Sequence, residues 1–245
     1  MQHVNIDNTF ESWRFAARDL LSKRIAPDGV IWTAGAQGRL FESPETTKDL
    51  KPTLSVPKQF LRLAKFVACY NDAERWPLLY RLLYRLVFEE RHLLEIESDG
   101  DVRDVNAMAK AVRRDIHKFH AFVRFRRIDC DGEEIYGAWH EPQHFCVELA
   151  TPFFERRFGE MKFSIFTPKG CAHWDRKNLA FSPPADKTKA PAADEMEDFW
   201  LLYYRSIYNP FRLKINAMKR EFPVRHWRTL PEAVLIPELI REAKY

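Results

Sequence analysis

Residues 113–139 read RRDIHKFHAFVRFRRIDCDGEEIYGAW, and the fold class turns on them because the periodicity of the chain changes inside the stretch. From about residue 103 to 118, apolar side chains recur at helical intervals. From Ala121 through Phe122, Val123, Arg124 and Phe125 to Arg126, apolar and basic residues alternate, which is the period of a strand with one buried face and arginines on the other. Cys130, Asp131, Gly132 and Glu133 then supply a hairpin turn, and Ile135 to Trp139 reads as the returning strand. A long helix feeding a hairpin predicts an α+β protein.

Downstream, a helix is expected over about 143–158, with Pro152 bending or interrupting it. Strand-like segments at 161–167 and 178–182 flank the Pro168-Lys169-Gly170 turn and complete a small antiparallel sheet of about four strands. The Pro-, Ala- and Lys-rich stretch 182–193 reads as a connection, followed by helices at 194–208 and 211–221 and a last one at 236–243.

Upstream, Thr9 is placed to cap a helix whose Phe10, Trp13, Ala17, Leu20 and Leu21 share one face and which ends near Arg24. Val30-Ile31-Trp32 reads as a short strand, 34–53 as a loop, and 56–69 and 74–94 as two further helices. Arg81, Arg85 and Glu89 form the polar edge of the third helix. The expected organisation is one α+β domain over 1–245, a small sheet packed with several helices. A sub-boundary near 95–102 separates an N-terminal helical layer, 1–98, from a core region, 103–245.

Composition narrows the class. Hydrophobic residues make up 46% of the 245 and aromatics 14%, which is the material of a packed core and excludes a disordered chain. No apolar run is long enough for a membrane span, and the first residues lack the basic-then-apolar order of a leader, so a cytoplasmic protein without a membrane partner is expected. Cys69, Cys130, Cys146 and Cys171 form no CxxC pair, which predicts reduced thiols. Neither GxGxxG nor GxxxxGK[ST] occurs, and no cofactor is expected.

Two basic constellations point to a polyanion. The first holds Arg113, Arg114, Lys118, Arg124, Arg126 and Arg127, with phenylalanines interleaved; cations for phosphates beside rings for bases is the mixture of nucleic-acid grooves. The second holds Arg212, Lys214, Lys219, Arg220, Arg225, Trp227 and Arg228, against the single acid Glu221. An arginine-bearing sheet face is also an ordinary solvated surface, and binding requires the two sets to share one surface.

Histidines offer a catalytic alternative. His117 and His120 are three apart, His140 and His144 four apart, and His173 lies two before Asp175, where the carboxylate can orient the imidazole as a base. The candidate catalytic set is His117, His120, His144, His173 and Asp175. Pro142 argues against one regular helix bearing His140 and His144, no HExxH is present, and no metal site is expected.

The strings RRDIHKFHAFVRFR from 113, TPFFERRF from 151, TPKGCAHWD from 167, YNPFRL from 208 and FPVRHWRTLPEA from 222 together resemble one bacterial family. FESWRFAAR from 10 and PDGVIW from 27 extend the resemblance to nearly the whole chain. The family comprises DNA-repair or DNA-metabolism proteins encoded beside a radical SAM protein and also found fused ahead of a UdgX-type uracil-DNA glycosylase. The glycosylase part of the fused relatives is not expected here, since the sequence stops at Tyr245. The resemblance implies an accessory repair protein that binds DNA, a radical SAM partner, or both. An enzyme acting on damaged DNA through a His/Asp site, and a non-DNA-binding adaptor for the radical SAM protein, are the alternatives.

Overall fold

A computed structural model describes residues 1–35, 55–130, 133–187, 218–220 and 222–242. All but the first two residues of the expected loop at 34–53, the helix at 194–208 and most of the one at 211–221 lie outside these residues. The chain divides into two compact units, Met1–Arg114 and Asp115–Tyr245, and the division falls inside a helix.

The first unit begins with a strand that periodicity did not reveal. β1 (Gln2–Asp7) runs parallel to β2 (Val30–Gly35), in register from Gln2 opposite Val30 to Asp7 opposite Gly35. Parallel neighbours need a crossover, and α1 (Phe10–Ser22) provides it. Thr9 caps this helix as expected, its hydroxyl accepting from the Ser12 amide at 3.2 Å.

Trp13, Ala17, Leu20 and Leu21 of α1 are buried, as are Phe60, Leu63, Ala64 and Val67 of α2 (Lys58–Ala68) and Trp76, Leu79, Tyr80, Leu82 and Leu83 of α3 (Arg75–Phe88). Each large side chain so buried contributes roughly 1.5–3 kcal/mol, which outweighs the modest intrinsic propensity of aromatic-rich helices. Trp13 stacks near Trp76 with centroids 6.3 Å apart, and the Tyr80 hydroxyl donates to the Ile25 carbonyl at 2.7 Å.

The polar edge of α3 finds partners other than the sequence spacing indicates. Arg81 pairs with Asp101 at 2.7 Å, and Arg85 reaches both Asp99 at 2.7 Å and Asp101 at 2.9 Å, while Glu89 is exposed. Asp99 also accepts from the Val102 amide, so it caps α4 (Gly100–Phe122) while anchoring it.

Helix α4 runs past the expected end at 118, and here the alternation misleads. Phe119 and Phe122 are buried and the Val123 amide bonds the Phe119 carbonyl at 3.2 Å, so 119–122 continue the helical spacing of Val112 and Asp115 instead of starting a strand. The strand begins later, as β3 (Arg126–Cys130), and pairs antiparallel with β4 (Glu133–Trp139).

The second unit is built on a five-stranded sheet in chain order, β3-β4-β5-β6-β7, with β5 (Phe163–Phe166), β6 (Cys171–Trp174) and β7 (Leu179–Ser182). The sheet is mixed: β4 and β5 are parallel. The helical crossover that such a joint needs is α5 (Val147–Ala150) and α6 (Pro152–Arg157), separated at Thr151 because Pro152 opens α6. β6 escaped prediction because CAHW carries no alternation. Gly170, at φ +116°, makes the β5–β6 turn, and the Thr167 hydroxyl donates to its carbonyl at 2.6 Å. Tyr136, Phe163 and Trp174 stand in register, as do Ala138, Ile165 and Ala172, and the Trp174 indole donates to the Gly159 carbonyl just past α6. That face carries the core of the unit. The C-terminal part adds 3-10 turns at Val224–Thr229 and Pro231–Leu235 and a short helix, α7 (Ile236–Glu242). Among the described residues, no helix is long and apolar enough to cross a membrane.

Candidate functional site

The end of α4, the linker into β3, Tyr136 of β4 and helix α6 enclose a cavity of about 390 Å³ in the second unit. Its walls are His120, Ala121, Val123, Phe125, Tyr136, Phe153, Phe154, Phe158 and Met161, with Arg124 and Arg157 beside them. The segment TPFFERRF explains the α6 wall. On a helix opened by Pro152, residues four apart share a face, so Phe153 stands with Arg157 and Phe154 with Phe158.

The rings are interlocked. Phe125 meets Phe154 and Phe158 edge-on, each at 5.7 Å, and Phe163 at 5.2 Å. His120 stacks on Phe153 at 4.3 Å with 21° between the planes. Its Nε2 lies 3.0 Å from the Ala150 carbonyl. A carbonyl only accepts, so Nε2 carries the hydrogen and Nδ1 of the neutral ring is left as an acceptor. Burial lowers the His120 pKa, and the nearby His117 and Arg156 add to the shift, which favours this neutral form.

Two guanidinium groups belong to the lining. Arg124 donates through Nη1 to the carbonyls of Ala121, at 2.7 Å, and Val123, at 3.2 Å, where a cation also offsets the negative end of α4. Exposed Arg157 lies 5.6 Å from the Phe158 ring, with exposed Arg156 beside it in the chain.

A second polar cluster in the same unit is buried. Asp115, 2% exposed, accepts from the His144 amide at 2.9 Å and from the Cys146 thiol at 3.6 Å. His140 is fully buried, 4.5 Å from the Phe119 ring, and lies parallel to His226 at 5.5 Å with 3° between planes. Arg225 Nε donates to His226 Nε2 at 3.1 Å, and Lys118 is 7% exposed.

Burial, with His226 and Arg225 as neighbours, pushes the His140 pKa down to about 3. That of His226 falls to about 4 through burial, Arg225 and Lys118, against the opposing pull of Asp115 and Glu141. Among the described residues, neither ring nitrogen of His140 nor Oδ1 of Asp115 finds a hydrogen-bond partner. No group of three or more His, Cys, Asp or Glu among them is arranged to hold a metal ion.

The structure distributes the sequence candidates unevenly. His120 and Arg124 line the cavity, and His144, Lys118 and Arg225 belong to the buried cluster or its edge. Lys118 is therefore no part of an open cationic face. Arg113 lies over the Phe66 ring at 4.6 Å in the first unit, where Arg114 is exposed. On β3, Arg126 is half-buried and Arg127 pairs with Glu134 at 3.1 Å. Lys219 and Arg220 are exposed, and the Trp227 indole donates to the Phe222 carbonyl within an apolar cluster. Arg212, Lys214 and the side chain of Arg228 lie outside the described residues.

His117 is exposed. His173 and Asp175 do not pair. The His173 ring lies between the hydroxyls of Ser164, at 2.9 Å, and Ser182, at 2.8 Å. Asp175 accepts from the amides of Lys177 and Asn178, which hold its carboxyl below the usual range. Asp115, His140 and His226 were not singled out from sequence as members of one site, although a signal exists: Asp115 and Lys118 fall at the helical spacing of Val112, Phe119 and Phe122, where apolar residues are expected.

A family model described as a domain of unknown function, DUF4130, matches residues 73–232. The chain belongs to the DUF4130 family. The matched span takes in the cavity lining and every residue of the buried cluster, and leaves out β1, α1, β2 and α2. No curated protein and no solved structure matches the chain.

Proposed function

We propose that this DUF4130 protein binds DNA in repair or DNA metabolism, beside the radical SAM partner that its sequence resemblance implies. The observation that carries the reading is the aromatic cavity lined in part by Arg124 and Arg157, with Arg156 close by. Proteins that hold DNA strands combine cations for phosphates with ring surfaces for bases, and this site presents both within one unit.

The test is binding to single- and double-stranded oligonucleotides across a salt series. Counterion release gives log K a slope of about −0.9 per neutralised phosphate on duplex and about −0.7 on a single strand. Charge reversal at exposed Arg156 and Arg157 is expected to weaken binding and flatten the slope. No binding to either form at low salt would overturn the reading.

A second reading, an enzyme acting on damaged DNA, is favoured by the buried Asp115, Lys118, His140 and His226. Buried histidines whose pKa is lowered by burial and by charged neighbours, as at His140 and His226, are the usual material of acid–base sites. It places the His/Asp chemistry away from His173 and Asp175. Turnover of lesion-bearing DNA that Lys118→Met abolishes while DNA affinity is kept supports it, and absence of turnover on all such substrates removes it.

A further inference from the structure

We infer that the cavity between the end of α4 and α6 takes a single unstacked nucleobase of a DNA strand, with the adjoining phosphate held by Arg157. The inference deepens the DNA-binding reading and rests on it.

Size comes first. At about 390 Å³ the cavity lies toward the low end of the roughly 300–1,000 Å³ typical of small-ligand sites, so one base with its sugar is the scale of occupant it suits. A paired base inside a duplex cannot reach such a recess without leaving the stack, and an unpaired or mismatched base leaves at least cost.

Wall chemistry comes second. Phe125, Phe153, Phe154 and Phe158 give ring surfaces, and a base offers two π faces to match them. The edge-on packing of Phe125 against Phe154 and Phe158 holds these walls in place before any ligand arrives. Polar groups are few: Nδ1 of His120 can accept from a base N–H, and the Tyr136 hydroxyl, 3.4 Å from Glu134, can donate or accept. Such a lining grips any base by stacking and discriminates only weakly among them.

Charge comes third. An apolar side chain of a partner protein would satisfy the rings but give the exposed Arg157 guanidinium no anion. A nucleotide answers both features, because its base and its phosphate are separated by only a sugar.

The experiment compares wild-type affinity for a short single strand with affinity for a strand of equal length and phosphate count whose nucleotides are abasic. Stacking predicts at least about a tenfold preference for the base-bearing strand. Ala121→Trp introduces a ring from an exposed wall position, and Met161→Trp does so from a second wall; each is checked for native circular dichroism. Both are expected to erase the preference while leaving the salt slope of the abasic strand unchanged. Equal wild-type affinity for the two strands, or a preference that survives in both folded variants, overturns the base pocket while leaving DNA binding in place. Failure to bind either strand overturns DNA binding itself.

Discussion

His140 shows at the scale of one residue how burial sets a protonation state. Its ring is sealed from water between Phe119 and His226, with Arg225 also acting on it, and both nitrogens lack partners among the described residues. Its folded pKa of about 3, and the value of about 4 for His226, lie below the ordinary 6.5, so the unfolded chain takes up protons first as pH falls. These histidines therefore contribute stability that is fully present above about pH 6.5 and is lost as pH falls toward 4 and then 3. The unfolding midpoint is expected to drop across that window, and His140→Phe to reduce the drop. Because the substitution removes two unsatisfied polar atoms at similar shape, it should also raise stability at neutral pH by on the order of 1 kcal/mol. Urea denaturation at pH 7 and pH 4.5 measures both, and an unchanged pH dependence in the variant would show that other groups govern it.

At the scale of elements, most of the first unit was legible because helical periodicity is local. The faces of α1, α2 and α3 follow from spacings of three and four, and the Thr9 cap follows from one hydroxyl placed before them. Thr9→Ala is expected to cost about 1 kcal/mol in chemical denaturation, since it orphans the Ser12 amide. Asp99→Ala should cost more than Thr9→Ala, because it removes a cap on Val102 and a partner of Arg85 together. If the two losses are equal, the Arg85 pair contributes nothing measurable. Less legible were the elements defined by a neighbour: β1 exists because β2 pairs with it, and β6 because β5 and β7 flank it. The boundary at Ala121–Phe125 was misplaced because a short apolar–basic alternation also fits the last turn of a helix with Phe119 and Phe122 inside.

At the scale of the whole molecule, the described cysteines give a direct reading of the second unit. Cys146 and Cys171 are buried there, whereas Cys69 is half-buried in the first unit. Under native conditions Cys69 should be alkylated before Cys146 and Cys171, which react only through opening of the 115–245 unit, as mass spectrometry over a urea series would reveal. Rapid native labelling of Cys171 would mean that the β5–β6 region opens independently. Composition, periodicity and turn chemistry were enough to establish an α+β chain, the faces of α1, α2 and α3, and a returning strand at Ile135–Trp139, and they named Arg124 and His120 as candidates. Only tertiary structure set Phe125 against Phe154 and Phe158 to make a cavity, and brought Asp115, His140 and His226 from distant segments into one buried cluster. The reason is physical: periodicity records which face of an element is buried, whereas a site is made by contacts between elements, whose partners no local spacing encodes.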